Sequence, residues 1–149
     1  VEARMKHPVY VVPAAMKALA ALDEAVKDTG LPEQTIELVN LRASQINGCA
    51  WCLRMHAAAL RKAGESDDRI DTVAGWRDAA FFTDAERAAL ALTEAVTRVA
   101  DRGDPVPDDV FGEAARHYDE AQLAALLLAI GQINVWNRLN VATHHVADA

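Results

Sequence analysis

Cysteine is almost absent: there are two in 149 residues, Cys49 and Cys52. Two thiols three apart read as catalytic or metal-binding rather than as a structural staple. Aromatic residues are also scarce, at 5% against 52% hydrophobic overall. The apolar content is therefore mostly Ala, Leu and Val, which suits closely packed helices. Prolines (5) and glycines (7) are few and fall at apparent element boundaries. No apolar run is long enough to span a bilayer; the longest, Leu123 to Ile130, is followed directly by Gln132, Asn134, Asn137 and Arg138. Nor is there a basic stripe, and the net charge is -7, which argues against nucleic acid because phosphate binding needs clustered Lys and Arg. The leading residues Val1-Glu2-Ala3-Arg4 show no apolar signal-peptide core. The expectation is a soluble, cytoplasmic protein, a single domain over residues 1–149, with no membrane or nucleic-acid partner.

The pattern along the chain predicts an all-α fold with no linker or repeat. Residues 1–12, with His7-Pro8 and the β-branched run from Val9 to Val12, read as an extended lead. A first helix runs from about Pro13 to Thr29 and stops at Gly30. A second starts at Pro32, turns Ile36, Val39 and Leu41 toward a core, and ends near Asn47-Gly48. A third runs from about Cys49 to Ala63, with Arg61 and Lys62 in its last turn and Gly64 beyond. A short helix is expected over 66–74. Thr83-Asp84-Ala85-Glu86 forms a capping box that opens a helix to about Ala100. A Pro-containing turn over 101–107 precedes a short helix from about Asp108 to His117. Asp119 to Gln122 then caps a long final helix reaching about His145. That helix is apolar on nearly every side from Leu123 to Ile133, as in a central core helix or a subunit interface.

Chemistry concentrates in Asn47-Gly48-Cys49-Ala50-Trp51-Cys52 and His56. On a helix, Cys49, Cys52 and His56 fall within an arc of roughly 60°, so one stripe carries all three. Cys52 and His56 are i, i+4 neighbours. Cys49 enters where the helix dipole favours an anion, and thiols there ionise below their usual value of about 8.5. Glu37 lies on the preceding helix at a depth that matches His56 if Gly48 reverses the chain. A carboxylate there would orient the imidazole, directly or through a water, and help it accept a thiol proton. One zinc ion cannot readily take both Cys49 and His56, about 10 Å apart along the axis. The dipole points to Cys49 as the more acidic thiol and the His56 contact points to Cys52. His7, His117, His144 and His145 are assigned no chemistry. Trp136 suits packing or the mouth of the thiol pocket, and Trp76 suits packing.

Glu37, Arg42-Ala43-Ser44-Gln45-Ile46-Asn47-Gly48-Cys49-Ala50-Trp51-Cys52 and His56 closely resemble the alkylhydroperoxidase D-like (AhpD-like) branch of the carboxymuconolactone decarboxylase family. The likeness continues through Trp76-Arg77, through Phe82 to Leu90 and through Ile133 to Leu139. The decarboxylase branch proper lacks the cysteine pair, which argues against lactone decarboxylation. The resemblance implies an AhpD-like helical fold, homo-oligomers (trimers or hexamers) and peroxide reduction by a dithiol. By position, Cys52 is then the peroxidatic cysteine, Cys49 the resolving one, and Glu37 with His56 the proton relay. The best-known peroxidases of the branch carry a histidine where this chain has Trp51, and a tryptophan cannot relay protons.

Three functions follow as expectations. The first is a thiol-dependent hydroperoxide reductase, with a hydroperoxide as substrate, a dithiol or redox protein as reductant, and no metal, flavin or nucleotide. The second, favoured by Trp51, is a thiol–disulfide adaptor or redox sensor without peroxide turnover. The third is a non-enzymatic helical assembly protein with incidental thiols.

Overall fold

A computed structural model describes residues 1–147, so the last two residues of the expected 1–149 domain lie outside the described part. Eight α-helices are present and no strand among the described residues: α1 (Pro8–Val11), α2 (Pro13–Lys27), α3 (Glu33–Asn47), α4 (Ala50–Lys62), α5 (Asp67–Asp71), α6 (Asp84–Thr97), α7 (Asp108–His117) and α8 (Glu120–Thr143). Single 3-10 turns follow α5 at Val73–Gly75 and α6 at Val99–Asp101. The fold is all-α, as the composition and helical periodicity predict.

The third helix, α3, sits at the centre and packs against α4, α6 and α8. Its apolar residues serve two cores. Ile36 and Val39 pack with Val26, Leu92, Leu126 and Ile130. Leu38 and Leu41 pack with Leu60, Val73, Trp76 and Leu90. Each fully buried Leu or Ile contributes roughly 1.5–3 kcal/mol relative to exposure. A smaller third cluster joins Ala43, Cys49, Cys52 and Ile133 beneath Trp51 and Trp136.

Local signals account for most helix ends. Both expected capping boxes form, at Thr83 with Glu86 and at Asp119 with Gln122. The lead over 1–12 is not wholly extended: Pro8 occupies the first turn of α1, and the His7 ring accepts the Val9 backbone N–H. A proline at that position is preset for helix, and this local bonding outweighs the β preference of Val9, Val11 and Val12. The helix expected over 66–74 is split into α5 and a 3-10 turn, and α6 ends at Thr97 rather than near Ala100.

The last helix, α8, is apolar on two faces for different reasons. Ala125, Ala129 and Ile133 are buried against the fold, while Leu128 and Val135, seven residues apart on one stripe with Gly131, are exposed in the single chain. None of the helices is long and apolar enough to cross a membrane among the described residues.

One buried carboxylate ties three segments together. Glu94 on α6 accepts from Arg42 Nε on α3 at 2.9 Å, from Trp76 Nε1 at 3.0 Å and from Arg77 Nη1 at 2.7 Å. Burial alone pushes its carboxyl pKa up, but the bonds from Trp76, Arg77 and Arg42 outweigh it, and the pKa lies below the ordinary glutamate value. A group held below its unfolded value stabilises the fold above that value and stops doing so as pH falls through the folded one. Glu94→Ala is expected to cost about 3 kcal/mol at neutral pH, because it strands Arg42 and the Trp76 indole N–H. The loss should shrink as pH falls through the carboxyl range. Urea unfolding across that range checks both the size and the trend.

Candidate redox site

The site begins with a reversal between two helices. Gly48 closes α3 in the left-handed conformation, at φ +69°, with its N–H on the Ser44 carbonyl. Glycine takes that conformation without steric cost. The chain then enters α4 with Cys49 as its N-cap rather than as a first-turn residue, one position earlier than the sequence suggests. Its sulfur accepts the Cys52 backbone N–H at 3.3 Å, the place a serine or aspartate oxygen usually takes. Cys49 and Cys52 are joined as a disulfide, with Cα atoms 5.3 Å apart. Both are buried.

The reversal brings Glu37 against His56. His56 Nδ1 donates to Glu37 Oε2 at 2.7 Å, a direct contact with no water needed between them. A carboxylate on Nδ1 fixes the ring proton there and leaves Nε2 as the lone-pair nitrogen. His56 is buried, and Nε2 has no hydrogen-bond partner among the described residues. A buried imidazole nitrogen held free is suited to receive a proton from a neighbour, and Cys52 lies one helical turn away.

These groups open on one cavity of about 300 Å³. Glu37, Cys52 and His56 line it; Cys49 does not. Its other walls are mostly apolar, including Leu19, Ile36, Trp51, Met55 and Trp136. Asp23 and Lys27, paired at 2.8 Å and each about 40% exposed, stand among the lining residues. The arrangement can hold an apolar molecule with one end against sulfur and imidazole.

The opposite side of the disulfide is formed by residues the sequence reading did not select. Asn140 on α8 is buried and reaches both sulfurs through Nδ2, at 3.5 Å to Cys49 and 3.2 Å to Cys52. His7 Nε2 meets Asn140 Oδ1 at 2.9 Å. Burial, helped by the nearby His145, holds His7 below the usual histidine pKa despite the opposing Asn140 bond. The His7 ring also stacks on Trp136, with centroids 5.8 Å apart, and meets His145 edge-on at 5.2 Å. His145 in turn packs on Trp51 at 5.5 Å, so it is half-buried, while His144 is exposed. His117 bonds Glu113, at 2.9 Å, on the surface. Trp76 is a core residue and Trp136 a cavity wall. Asn140 continues the inward stripe Ala129, Ile133, Asn137 of α8, but it is one of several polar residues in that half of the helix and nothing in the pattern singles it out. No pattern points to His7, which lies 133 residues from its partner.

An all-helical chain that seats a C-x-x-C pair at a helix entry, beside a histidine and a glutamate, defines a dithiol protein of a recognisable class. Residues 13–95 match the carboxymuconolactone decarboxylase family. The chain is 38% identical over 132 residues to the uncharacterized protein YdfG of Bacillus subtilis (strain 168), covering 89% of this chain and 88% of that protein. It is 33% identical over 106 residues to the uncharacterized protein YnjA of Escherichia coli (strain K12), covering 70% of this chain and 56% of that one. The chain therefore belongs to the carboxymuconolactone decarboxylase family. Its fold matches the crystal structure of ATU0492 from Agrobacterium tumefaciens, a protein of unknown function suggested to be the antioxidant defence protein AhpD. The TM-score is 0.91, at 36% identity over 99% of both chains. This places the chain with the AhpD-like branch. The apo debrominase Bmp8 shares the fold, with a TM-score of 0.83 at 20% identity, covering 95% of this chain and 75% of that one.

Proposed function

We propose that the protein is a thiol-dependent reductase of organic hydroperoxides. The observation that carries this reading is that Cys52, His56 and Glu37 line one mostly apolar cavity, with His56 bonded to Glu37 and its Nε2 without a partner among the described residues. In the reduced protein His56 takes the Cys52 proton. The Cys52 thiolate attacks the terminal peroxide oxygen, the O–O bond breaks, and the alkoxide leaves with the proton from His56 as an alcohol. Cys52 is now a sulfenic acid. The Cys49 sulfur displaces its hydroxyl, which departs as water, and the disulfide forms. An external dithiol restores both thiols by exchange and is itself oxidised to a disulfide. Each turnover therefore consumes one hydroperoxide and one dithiol and releases one alcohol and one water.

The test is steady-state consumption of cumene hydroperoxide driven by dithiothreitol. Turnover is the expected result. A disulfide that forms and exchanges without peroxide turnover would instead support the adaptor or sensor reading, which Trp51, a cavity-wall residue that cannot relay protons, favours.

We also propose that the chain assembles with copies of itself through α8. The exposed stripe of Leu128, Gly131 and Val135 supports this, as apolar side chains there have no cover in the single chain. Light scattering is expected to give a multiple of the 16.1 kDa chain, reduced toward one chain by Leu128→Glu.

A further inference from the structure

The hydrogen bonds from the N-terminal segment to the disulfide run in one direction only. The Val9 backbone N–H points at His7 Nδ1 at 3.3 Å, and a backbone amide can only donate. His7 Nδ1 must therefore accept, which puts the ring proton on Nε2. Nε2 then donates to Asn140 Oδ1, 2.9 Å away. With its oxygen taken, the Asn140 carboxamide turns its NH2 toward sulfur, 3.2 Å from Cys52 and 3.5 Å from Cys49. Reversing any one group leaves a donor facing a donor or an acceptor facing an acceptor. The orientation of Asn140 is thus fixed from the His7 side, by bonds that do not involve the sulfurs.

A carboxamide so placed discriminates between the states of the sulfur it faces. Disulfide and thiol sulfur are weak acceptors, and a thiolate is a strong, charge-assisted one. A buried amide with only a disulfide to bond is poorly satisfied, and the same amide beside a thiolate is well satisfied. A leucine would fill the space but would strand the buried His7 Nε2–H, so the asparagine serves the His7 ring on one side and the sulfurs on the other.

We propose that Asn140 is a thiolate-stabilising contact of the dithiol and that His7 is the positioning residue that aims it. This deepens the proposed function, resting only on its thiol–disulfide cycle and not on the identity of the oxidant. The amide stabilises charge and moves no proton, so proton transfer stays with His56. On reduction, an external dithiol donates two electrons to the Cys49–Cys52 bond and becomes a disulfide. One of the released sulfurs stays a thiol; the other gives up its proton by way of His56, and Asn140 holds the charge.

Two measurements without peroxide test this. The rate of iodoacetamide alkylation against pH gives the ionisation midpoint of the reactive thiol. Equilibration with reduced and oxidised dithiothreitol gives the stability of the disulfide. Asn140→Ala is expected to raise the ionisation midpoint, cutting the thiolate fraction about tenfold at neutral pH. It should shift the equilibrium toward the disulfide by a similar factor where the reduced form is a thiolate. His7→Phe keeps the stacked ring without the donor and should move both readings in the same direction by less. His7→Gln restores an N–H donor and should return them toward wild type.

Wild-type values in Asn140→Ala, in a variant shown to be folded by its melting curve, overturn the proposal. If Asn140→Ala does not fold, the His7→Phe and His7→Gln pair decides. Equal readings in those two overturn the positioning role, and a loss in the first rescued in the second supports it. Absence of peroxide turnover in wild type would overturn the proposed function alone and leave these readings to stand.

Discussion

Cys52→Ser is expected to reduce hydroperoxide consumption to the uncatalysed background, while Cys49→Ser keeps the first chemical step. The asymmetry follows from the cavity, which Cys52 lines and Cys49 does not. A serine hydroxyl at position 52 does not ionise near neutral pH and is a poor nucleophile toward the O–O bond. In Cys49→Ser, given one equivalent of hydroperoxide and no dithiol, Cys52 should end as a sulfenic acid, trapped by dimedone and read by mass spectrometry. The helix dipole, acting through the N-cap position of Cys49, favours the opposite assignment. Sulfenic acid trapped on Cys49 in Cys52→Ser, with turnover of the first step intact, would make Cys49 the peroxidatic cysteine instead.

His56→Gln should lower kcat/KM by about 10²–10⁴, the usual contribution of a positioned general base. Glutamine keeps a polar group near the same place but cannot take up the thiol proton. The deficit should depend on pH. Above the ordinary thiol pKa of about 8.5 solvent ionises Cys52 without help, and the variant should approach wild type. Glu37→Gln should show a smaller loss with the same recovery, since a carboxamide oxygen still accepts from Nδ1 but no longer compensates a charged ring. Initial rates at saturating dithiol across pH settle the matter. A deficit that stays constant with pH would mean that His56 shapes the cavity and does not move the proton.

Much of the fold was legible because its signals are local. The capping boxes at Thr83 and Asp119, and Gly48 after Asn47, each act within one helical turn, and all three appear where the sequence places them. The Glu37–His56 contact was legible for a related reason: a tight reversal sets two residues at equal depth on neighbouring helices. The N-terminal segment was misread because two local tendencies compete there. The β-branched run favours extension, while Pro8 with a capping His7 favours a turn of helix, and only the docked segment shows which wins. The rear of the disulfide was not legible. Asn140 and His7 meet across nearly the whole chain, and their pairing depends on how α8 and the lead pack rather than on spacing. The cavity was hidden too, since its walls come from α2, α3, α4 and α8.

The short span between Cys49 and Cys52 also sets a race. A sulfenic acid on Cys52 faces two competitors: a second hydroperoxide, which drives it irreversibly to sulfinic acid, and the Cys49 sulfur. The second hydroperoxide must diffuse in from solution. Cys49 is already present, on a Cα 5.3 Å away, held at the entrance of the same helix. Its effective concentration far exceeds that of any peroxide the protein meets. In the proposed cycle the helix entry thus protects the protein from the hydroperoxide, and survival under excess peroxide depends on a reaction rate within the chain rather than on a shield around it.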